Sequence, residues 1–159
     1  MANNFLAYQK YEIGKSLKEE NSEDVVEKIL GEAEENKCKI LIPEDCLVSK
    51  SFEGEAILRN IKSIKENEII LDIGPKTIKI IEEIIDVSNT VMWNGPAGYF
   101  ENKNFALGTN AIAQKVSENT KNRSLISVLG GGDTVSAIKN SGLELSFTHL
   151  STAGGAFLE

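Results

Sequence analysis

From residue 69 onward, short apolar runs alternate with segments in which apolar residues repeat at helical spacing. The runs predict buried strands, the spaced segments predict helices, and a glycine-containing loop follows each run. The predicted strands cover residues 69–73, 90–93, 125–129 and 147–150. The predicted helices cover residues 77–86, a segment with Ala111, Ile112 and Val116 facing inward, and a segment that ends near Ser141. The pattern therefore predicts four strand-loop units in series.

The first half of the chain has a less regular pattern. Residues 3–17 predict a short helix followed by a turn, and an acidic cap signal predicts an amphipathic helix over residues 25–33. Residues 38–42 predict a short strand that ends at Pro43, because proline cannot donate a hydrogen bond to a sheet. Residues 44–67 mix short apolar runs with turn residues, which predicts short antiparallel strands beside the main sheet.

Alternation of strands, loops and helices predicts right-handed crossovers and a mostly parallel sheet with helices on both faces. The carboxyl ends of parallel strands share one edge, and ligands of open α/β sheets bind outside that edge. Loops 94–101, 130–134 and 151–155 are therefore expected to converge on one ligand. Short loops between strands and helices are also rich in glycine for geometric reasons alone, and at this point both interpretations stand.

The run Gly130-Gly131-Gly132-Asp133-Thr134 has the composition of a phosphate-binding loop. Glycine lets backbone N–H groups approach a phosphate, and Asp133-Thr134 can cap a helix whose N-terminus favours anions. Asp133 can also hold a magnesium ion on the phosphates. The run has neither the ending of a P-loop nor the glycine spacing of a dinucleotide fingerprint, and a plain tight turn is the alternative.

Composition and charge narrow the classes of partner. With 159 residues, 41% of them hydrophobic, the chain is long enough to fold as one compact unit. Its net charge of -7 argues against a nucleic-acid or anionic-membrane surface, so neither is expected as a partner. Cys38 and Cys46 lack metal-ligand spacing and His149 is the only histidine, so we expect no zinc site. Without a targeting signal or a membrane-spanning run, the protein is expected to be cytoplasmic.

Four motifs, in this order, give the chain a resemblance to a known family. They are Trp93-Asn94-Gly95-Pro96, Phe100-Glu101, Gly130-Gly131-Gly132-Asp133-Thr134 and Ser151-Thr152-Ala153-Gly154-Gly155-Ala156. Together they resemble phosphoglycerate kinase. Residues 3–6, 13–17 and 71–77 are also similar to that family, so the resemblance covers nearly the entire chain but only the back half of the family's chain.

The resemblance implies a fold and a reaction. The fold is an α/β, Rossmann-like three-layer sandwich with a mostly parallel sheet, and it is incomplete relative to the family domain. Residues 1–159 are expected to form part of the C-terminal nucleotide-binding domain. The family transfers a phosphoryl group reversibly between ATP and 3-phosphoglycerate in glycolysis, giving ADP and 1,3-bisphosphoglycerate, and uses magnesium.

The resemblance also implies roles for the glycine loops. Gly131, Gly132, Asp133 and Thr134 would contact the nucleotide phosphates, and Asp133 would serve the magnesium ion. Gly154 and Gly155 would open a helix whose N–H groups face the phosphoryl group during transfer. Catalysis of this kind works by positioning and charge neutralisation, and it requires no covalent nucleophile.

The remaining implied contacts belong to the nucleoside and to the rim of the pocket. Glu101 would hydrogen-bond the ribose, and Asn94 and Pro96 would line the phosphate side. Leu6 and Tyr99 would contact the adenine. The sequence departs from the family at Tyr99, where a smaller aliphatic residue is usual, and at Ala153, which replaces the first of three glycines.

Larger departures concern the cations that the reaction needs. The family's basic N-terminal domain, which binds 3-phosphoglycerate, and the first strands of the nucleotide domain with their lysine are not found in this sequence. Arg59 and Arg123 lie outside the phosphate loops and are interpreted as surface charges. We therefore expect no kinase activity from this chain alone. We also expect an exposed sheet edge and apolar surface, for which aggregation, oligomerisation and a complementing N-terminal half chain are the open alternatives. The alternative is a non-catalytic nucleotide-binding or structural remnant.

Overall fold

The chain divides into two compact units, Met1–Gly74 and Pro75–Glu159, called here the N-terminal unit and the C-terminal unit. The computed structural model describes residues 1–123 and 125–151. Within those residues, no helix combines the length and apolar character needed to cross a membrane. The assignment of residues 1–159 to one nucleotide-binding domain stays a prediction.

The N-terminal unit combines two helices with a small antiparallel sheet. Its elements are α1 (Ala2–Tyr8), α2 (Glu23–Glu35), β1 (Asp45–Ser49), β2 (Ile57–Asn60) and β3 (Ile69–Ile73). The strand order is β2-β1-β3, and β1 pairs antiparallel with both neighbours. The short antiparallel strands predicted between residues 44 and 67 are thereby confirmed, as are helices near both predicted positions.

A hydrophobic core holds this sheet against α1 and the segment that follows it. The packed residues are Leu6, Ile13, Cys46, Val48, Ile61 and Ile64. Central strand β1 is buried along its full length. Burial removes water from the thiol of Cys46 and raises its pKa to about 12, so this cysteine stays a neutral core residue.

Two strand predictions in this unit are wrong. Strand β3 was expected to open the parallel series, but it pairs antiparallel with β1, with Leu47 opposite Asp72. A run of β-branched residues indicates an extended, buried backbone without indicating the direction of its neighbour. Residues 38–42 form no strand in the described structure, because an extended run becomes a strand only where a hydrogen-bonding partner lies beside it.

The C-terminal unit carries the predicted parallel sheet. Its elements are α3 (Pro75–Val87), β4 (Thr90–Asn94), α4 (Leu107–Arg123), β5 (Ile126–Gly130), α5 (Gly132–Asn140) and β6 (His149–Leu150). The strand order is β4-β5-β6, and both pairings are parallel. Pro75 begins α3, where its missing N–H removes no helical hydrogen bond. The fold is α/β as predicted, with the parallel sheet confined to this unit.

Three side chains on one face of β4 and β5 are exposed in the part of the chain that the structure describes. Alternating strand residues place Thr90 and Met92 on the same face as Ile126, and these side chains are exposed, with Met92 at 62% and Ile126 at 50%. Helix coverage of this part of the sheet stays a prediction. An apolar run indicates that a strand belongs in a core, but it does not indicate which neighbours are present to cover it.

Candidate functional site

The carboxyl ends of β4 and β5 lie side by side. The parallel register pairs Asn94, the last residue of β4, with Gly130, the last residue of β5. The two loops that follow therefore start at adjacent points of one sheet edge. The backbone of Gly131 has a φ of 92°, and a Cβ there would lie 2.6 Å from Oδ1 of Asn94. Both constraints favour glycine, because the conformation suits no L side chain and the Asn94 carboxamide occupies the space.

Helix α5 presents its N-terminus at this edge. Gly131 is the N-cap residue, and the first intrahelical bond runs from the N–H of Val135 to the carbonyl of Gly131. Because the N-cap residue is a glycine, it supplies no side-chain cap to the helix. A Cβ at Gly132 would meet no atom within 4 Å, and the Asp133 side chain is exposed. The helix dipole and the N–H groups of the first turn make this open end suitable for an anion.

Two buried threonines hold the loop that follows β4. The Gly95 N–H donates to Oγ1 of Thr134 at 2.7 Å, which joins this loop to the start of α5. The N–H groups of Ala97 and Gly98 donate to Oγ1 of Thr109 at 3.0 and 3.3 Å. Thr134 is 0% exposed and Thr109 is 1% exposed. The hydroxyl of Thr134 thus accepts a hydrogen bond from the loop backbone, and its direct contact with phosphate stays a prediction.

Sequence reasoning missed Thr109. It is the third residue of α4, more than ten positions beyond the backbone groups that it binds. A threonine in the first turn of a helix is common, and no local pattern indicates a partner so far back in the chain. Thr134 was a predicted site residue, but its contact with Gly95, 39 positions earlier, was missed for the same reason.

The loop that these threonines hold contains the other predicted pocket residues. Pro96 and Tyr99 are half-buried, and Glu101 is exposed. At the start of the loop, Nε1 of Trp93 donates to the carbonyl of Gly95 at 2.6 Å, and the Trp93 ring is buried. The structure thus brings Asn94 and the loop after it beside the glycine loop of α5.

The remaining predicted site residues are Leu6, Gly154 and Gly155. Leu6 belongs to the core of the N-terminal unit and is 1% exposed, so its predicted contact with adenine stays a prediction. Gly154 and Gly155 lie outside the described residues. The third predicted loop begins at Ser151, whose N–H donates to the carbonyl of Leu129 at 2.8 Å, and so it starts beside the end of β5.

Comparison with known proteins identifies the family. A family model described as phosphoglycerate kinase matches residues 1–159. The chain belongs to the phosphoglycerate kinase family. Members of this family are glycolytic kinases, which agrees with the reaction class implied by the loop motifs.

Individual family members match this chain over part of their own length. Phosphoglycerate kinase of Wolbachia pipientis subsp. Culex pipiens (strain wPip) is 47% identical over 99% of this chain and 40% of the relative. The enzyme of Zymomonas mobilis subsp. mobilis is 45% identical over 100% of this chain and 41% of the relative. The solved structure of phosphoglycerate kinase from Coxiella burnetii matches with a TM-score of 0.91 at 37% identity, covering 99% of this chain and 40% of that chain. This chain spans about two fifths of the length of these relatives.

Both arginines of the chain are engaged in ion pairs. Arg59 binds Glu68 through two nitrogens, with Nη2 2.9 Å from Oε1, and their side chains are 25% and 2% exposed. The interpretation of Arg59 as a surface charge is therefore wrong, because the sequence does not reveal the buried carboxylate that it neutralises. The hydrogen bond and charge of Arg59 hold the pKa of Glu68 below its usual value.

Arg123 lies at the opposite edge of the parallel sheet from the loop pair. Its Nη1 is 3.5 Å from Oδ1 of Asp86, and the Arg123 side chain is 59% exposed, as predicted. Lys115 binds the same carboxylate with Nζ 2.7 Å from Oδ2, and Asn119 donates to it at 3.1 Å. These contacts, led by the hydrogen bond from Lys115, lower the pKa of Asp86. A polar cleft of about 180 Å³ beside this cluster includes Asn89 and Leu125, which precede β4 and β5.

Asp133 fits magnesium in the manner that nucleotide sites use. Among residues 1–123 and 125–151, no three His, Cys, Asp or Glu side chains are grouped to hold a metal ion. Magnesium commonly binds through one or two carboxylates together with phosphates and water. The Asp133 carboxylate is exposed in the first turn of α5, so it would fit as one such ligand.

Proposed function

We propose that this chain carries the nucleotide-binding part of a phosphoglycerate kinase and binds Mg-ADP and Mg-ATP at the carboxyl edge of β4 and β5. The observation that carries the proposal is the register that places Asn94 beside Gly130, with the two following loops joined through Thr134 and Gly95. Membership of the family supplies the ligand. The reaction proposed for the complete enzyme is reversible transfer between ATP and 3-phosphoglycerate.

The phosphates of the nucleotide would bind at the N-terminus of α5. Without side chains, Gly131 and Gly132 would let the phosphates approach the N–H groups of the first turn. A Cβ at Gly132 would occupy the space that the phosphates need. Asn94 would add a side-chain amide on the β4 side. Bound magnesium would neutralise charge on the phosphates, and Asp133 would hold it there.

The nucleoside would lie along the loop after β4. Glu101, which is exposed, would accept hydrogen bonds from the ribose, and Tyr99 would offer its ring to the adenine. Pro96 would close the phosphate side. Each of these roles follows the family motif, and the buried threonines hold the backbone that carries them.

Transfer of the phosphoryl group would require cations that the two arginines do not provide. Arg59 and Arg123 are already bound to Glu68 and Asp86. One arginine at the transferred group is worth about 10³–10⁵ in turnover in related phosphoryl-transfer reactions. We therefore propose that the chain by itself binds nucleotide without measurable turnover of ATP and 3-phosphoglycerate.

Calorimetric titration with ADP, with and without magnesium, tests the proposal. The Asp133→Asn variant should bind Mg-ADP at least about tenfold more weakly, because a hydrogen bond or contact to a charged group is worth about 1.5–3 kcal/mol. Its affinity for ADP without magnesium should change little. Asp24→Asn is the matched control, since Asp24 is also exposed in the first turn of a helix. Equal affinities of the wild type and Asp133→Asn would refute the assigned role of Asp133.

A non-catalytic nucleotide-binding module is the second candidate function, and the pairing of both arginines favours it. A turnover assay with ATP and 3-phosphoglycerate separates the two candidates when the chain is mixed with a complementing N-terminal half from a relative. Restored turnover favours a divided enzyme. A silent mixture of two folded chains that still binds Mg-ADP favours the module.

A further inference from the structure

The loop from Gly95 to Gly98 has all of its backbone N–H groups turned toward two threonine hydroxyls. Pro96 has no N–H, Gly95 donates to Thr134, and Ala97 and Gly98 both donate to Thr109. The carbonyl of Gly95 is also engaged, by Nε1 of Trp93. The loop therefore has a fixed backbone, and it presents side chains rather than N–H groups to a ligand.

Each threonine occupies the same place in its helix. Thr109 is the third residue of α4 and Thr134 is the third residue of α5. A threonine side chain there is anchored by the first turn of a helix, and both side chains are at most 1% exposed. A hydroxyl buried in this way has no water to bind, so it keeps its hydrogen bonds to the backbone N–H groups and fixes their position.

We infer that Thr109 is a positioning residue for the nucleoside half of the nucleotide site, an inference that rests on the proposed function. Thr109 holds Ala97 and Gly98; Tyr99 follows Gly98 directly, and Glu101 comes two positions after Tyr99. Thr134 instead holds the start of the loop, beside Asn94 and the phosphate end of α5. The two hydroxyls thus divide the loop into a phosphate end and a nucleoside end.

Different ligands report on the two ends. Loss of the Thr109 hydroxyl should lower affinity for Mg-ADP, which contacts both ends, and should leave affinity for Mg-pyrophosphate unchanged. Loss of the Thr134 hydroxyl should weaken both ligands. General destabilisation of the fold would lower the affinities for Mg-ADP and Mg-pyrophosphate alike.

The test compares Thr109→Val with Thr109→Ser in the full chain. Valine has nearly the same shape as threonine without the hydroxyl, and serine restores the acceptor. Exchange of the Ala97 and Gly98 amides should be faster in Thr109→Val by on the order of tenfold, and close to the wild-type rate in Thr109→Ser. Titrations followed by amide chemical shifts should show Mg-ADP binding weakened about tenfold in Thr109→Val and restored by serine. Thr90→Val, on the exposed face of β4, is the control for the substitution itself.

Three results would overturn the inference. Unchanged amide exchange in Thr109→Val would show that the hydroxyl does not hold the loop. Faster exchange with unchanged Mg-ADP affinity, or equal weakening of ADP and pyrophosphate, would show that it does not position the nucleoside end. A wild-type chain that binds no Mg-ADP refutes the proposed function and the nucleotide part of the inference, whereas the amide exchange still decides whether Thr109 holds the loop.

Discussion

The two units differ in whether they bury carboxylates. Within the described residues, the buried carboxylates all lie in the N-terminal unit, at Asp45, Glu68 and Asp72. The buried polar residues of the C-terminal unit are neutral, namely Thr77, Thr109, Ser117, Asn119, Ser127 and Thr134. A buried charge needs a partner of opposite charge. A buried hydroxyl can hold the backbone through hydrogen bonds alone, without a charged partner. The C-terminal unit thereby keeps carboxylates such as Asp133 and Glu101 exposed beside its loops.

The largest expected effect falls on Gly14, in the N-terminal unit. Its φ is 56°, and a Cβ there would overlap with the Glu68 carbonyl oxygen and lie 2.6 Å from that of Lys65. Backbone atoms cannot move aside as a side chain end does, so Gly14→Ala should cost on the order of 3 kcal/mol or more of unfolding free energy.

Gly31→Ala is the matched control for this substitution. Gly31 lies inside α2, and a Cβ there would meet no atom within 4 Å. The control should gain about 0.5–1 kcal/mol, because alanine is the better helix former. Denaturant unfolding of both variants measures the difference, and equal stability would contradict the close approach of Gly14 to Glu68.

Removal of the buried charge should have the next largest effect. Glu68→Gln breaks the pair with Arg59 and leaves the guanidinium half-buried, so the melting temperature should fall by several degrees at neutral pH. The pair also makes stability depend on pH. Because the pKa of Glu68 is lowered in the folded state, its contribution is present above the ordinary pKa, about 4.3, and is lost as pH falls through the folded-state value.

Thermal melts between neutral and acidic pH test this dependence. The difference in melting temperature between the wild type and Glu68→Gln should be full at pH 7 and should shrink as the pH falls below about 4. Glu66→Gln, an exposed neighbour, is the control and should melt like the wild type. A difference that stays constant down to acidic pH would contradict the lowered pKa.

Gly131 tests the loops of the C-terminal unit. The positive φ and the contact with Asn94 should make Gly131→Ala cost about 1–3 kcal/mol, and the displaced Asn94 should weaken Mg-ADP binding as well. A Cβ at Gly132 has no atom of the described residues within 4 Å, so Gly132→Ala should keep full stability and weaken only the binding of the ligand. Unfolding curves and nucleotide titrations of both variants measure these effects. The assignment of this space to phosphate would be contradicted if Gly132→Ala bound Mg-ADP like the wild type.

The smallest effect concerns the hydroxyls that hold β6. Ser127, which is 0% exposed, accepts the N–H of Thr148 at 2.9 Å, and its own N–H donates to Oγ1 of Thr148 at 3.1 Å. Ser127→Ala should cost about 1–2 kcal/mol, because the Thr148 N–H loses its acceptor. Amide exchange at Thr148 should rise while exchange in β1 and β3 is unchanged. Equally faster amide exchange in both units would show that the substitution does not act on the C-terminal unit alone.

The sequence predicted what depends on local pattern. The helix predicted to begin at Thr77, the strand that ends near Asn94 and the glycine loop before α5 all follow from spacing and turn chemistry. The structure has all three, with α3 beginning two residues earlier than predicted, at Pro75. The pairing direction of β3 and the lack of a strand over residues 38–42 depend on which segments lie alongside, and no local pattern records that. The loop pair at the sheet edge followed from the parallel topology, which the pattern did indicate.

The contacts that hold the site were the least predictable part. Thr109 and Thr134 accept hydrogen bonds from backbone groups far back in the chain. Arg59 lies on β2 and Glu68 directly before β3, so their ion pair forms only because both strands pair with β1. Such contacts arise from tertiary packing. Threonine and arginine are common at positions of these kinds for other reasons, so their identities alone do not reveal the partners.

Amide chemical-shift mapping of the labelled chain during titration with Mg-ADP tests the central claim most directly. The account predicts saturable shifts concentrated in residues 94–101 and 130–134, with β1, β2 and β3 unperturbed. Shifts centred on those three strands, or none at millimolar Mg-ADP, would contradict a nucleotide site at the carboxyl edge of β4 and β5.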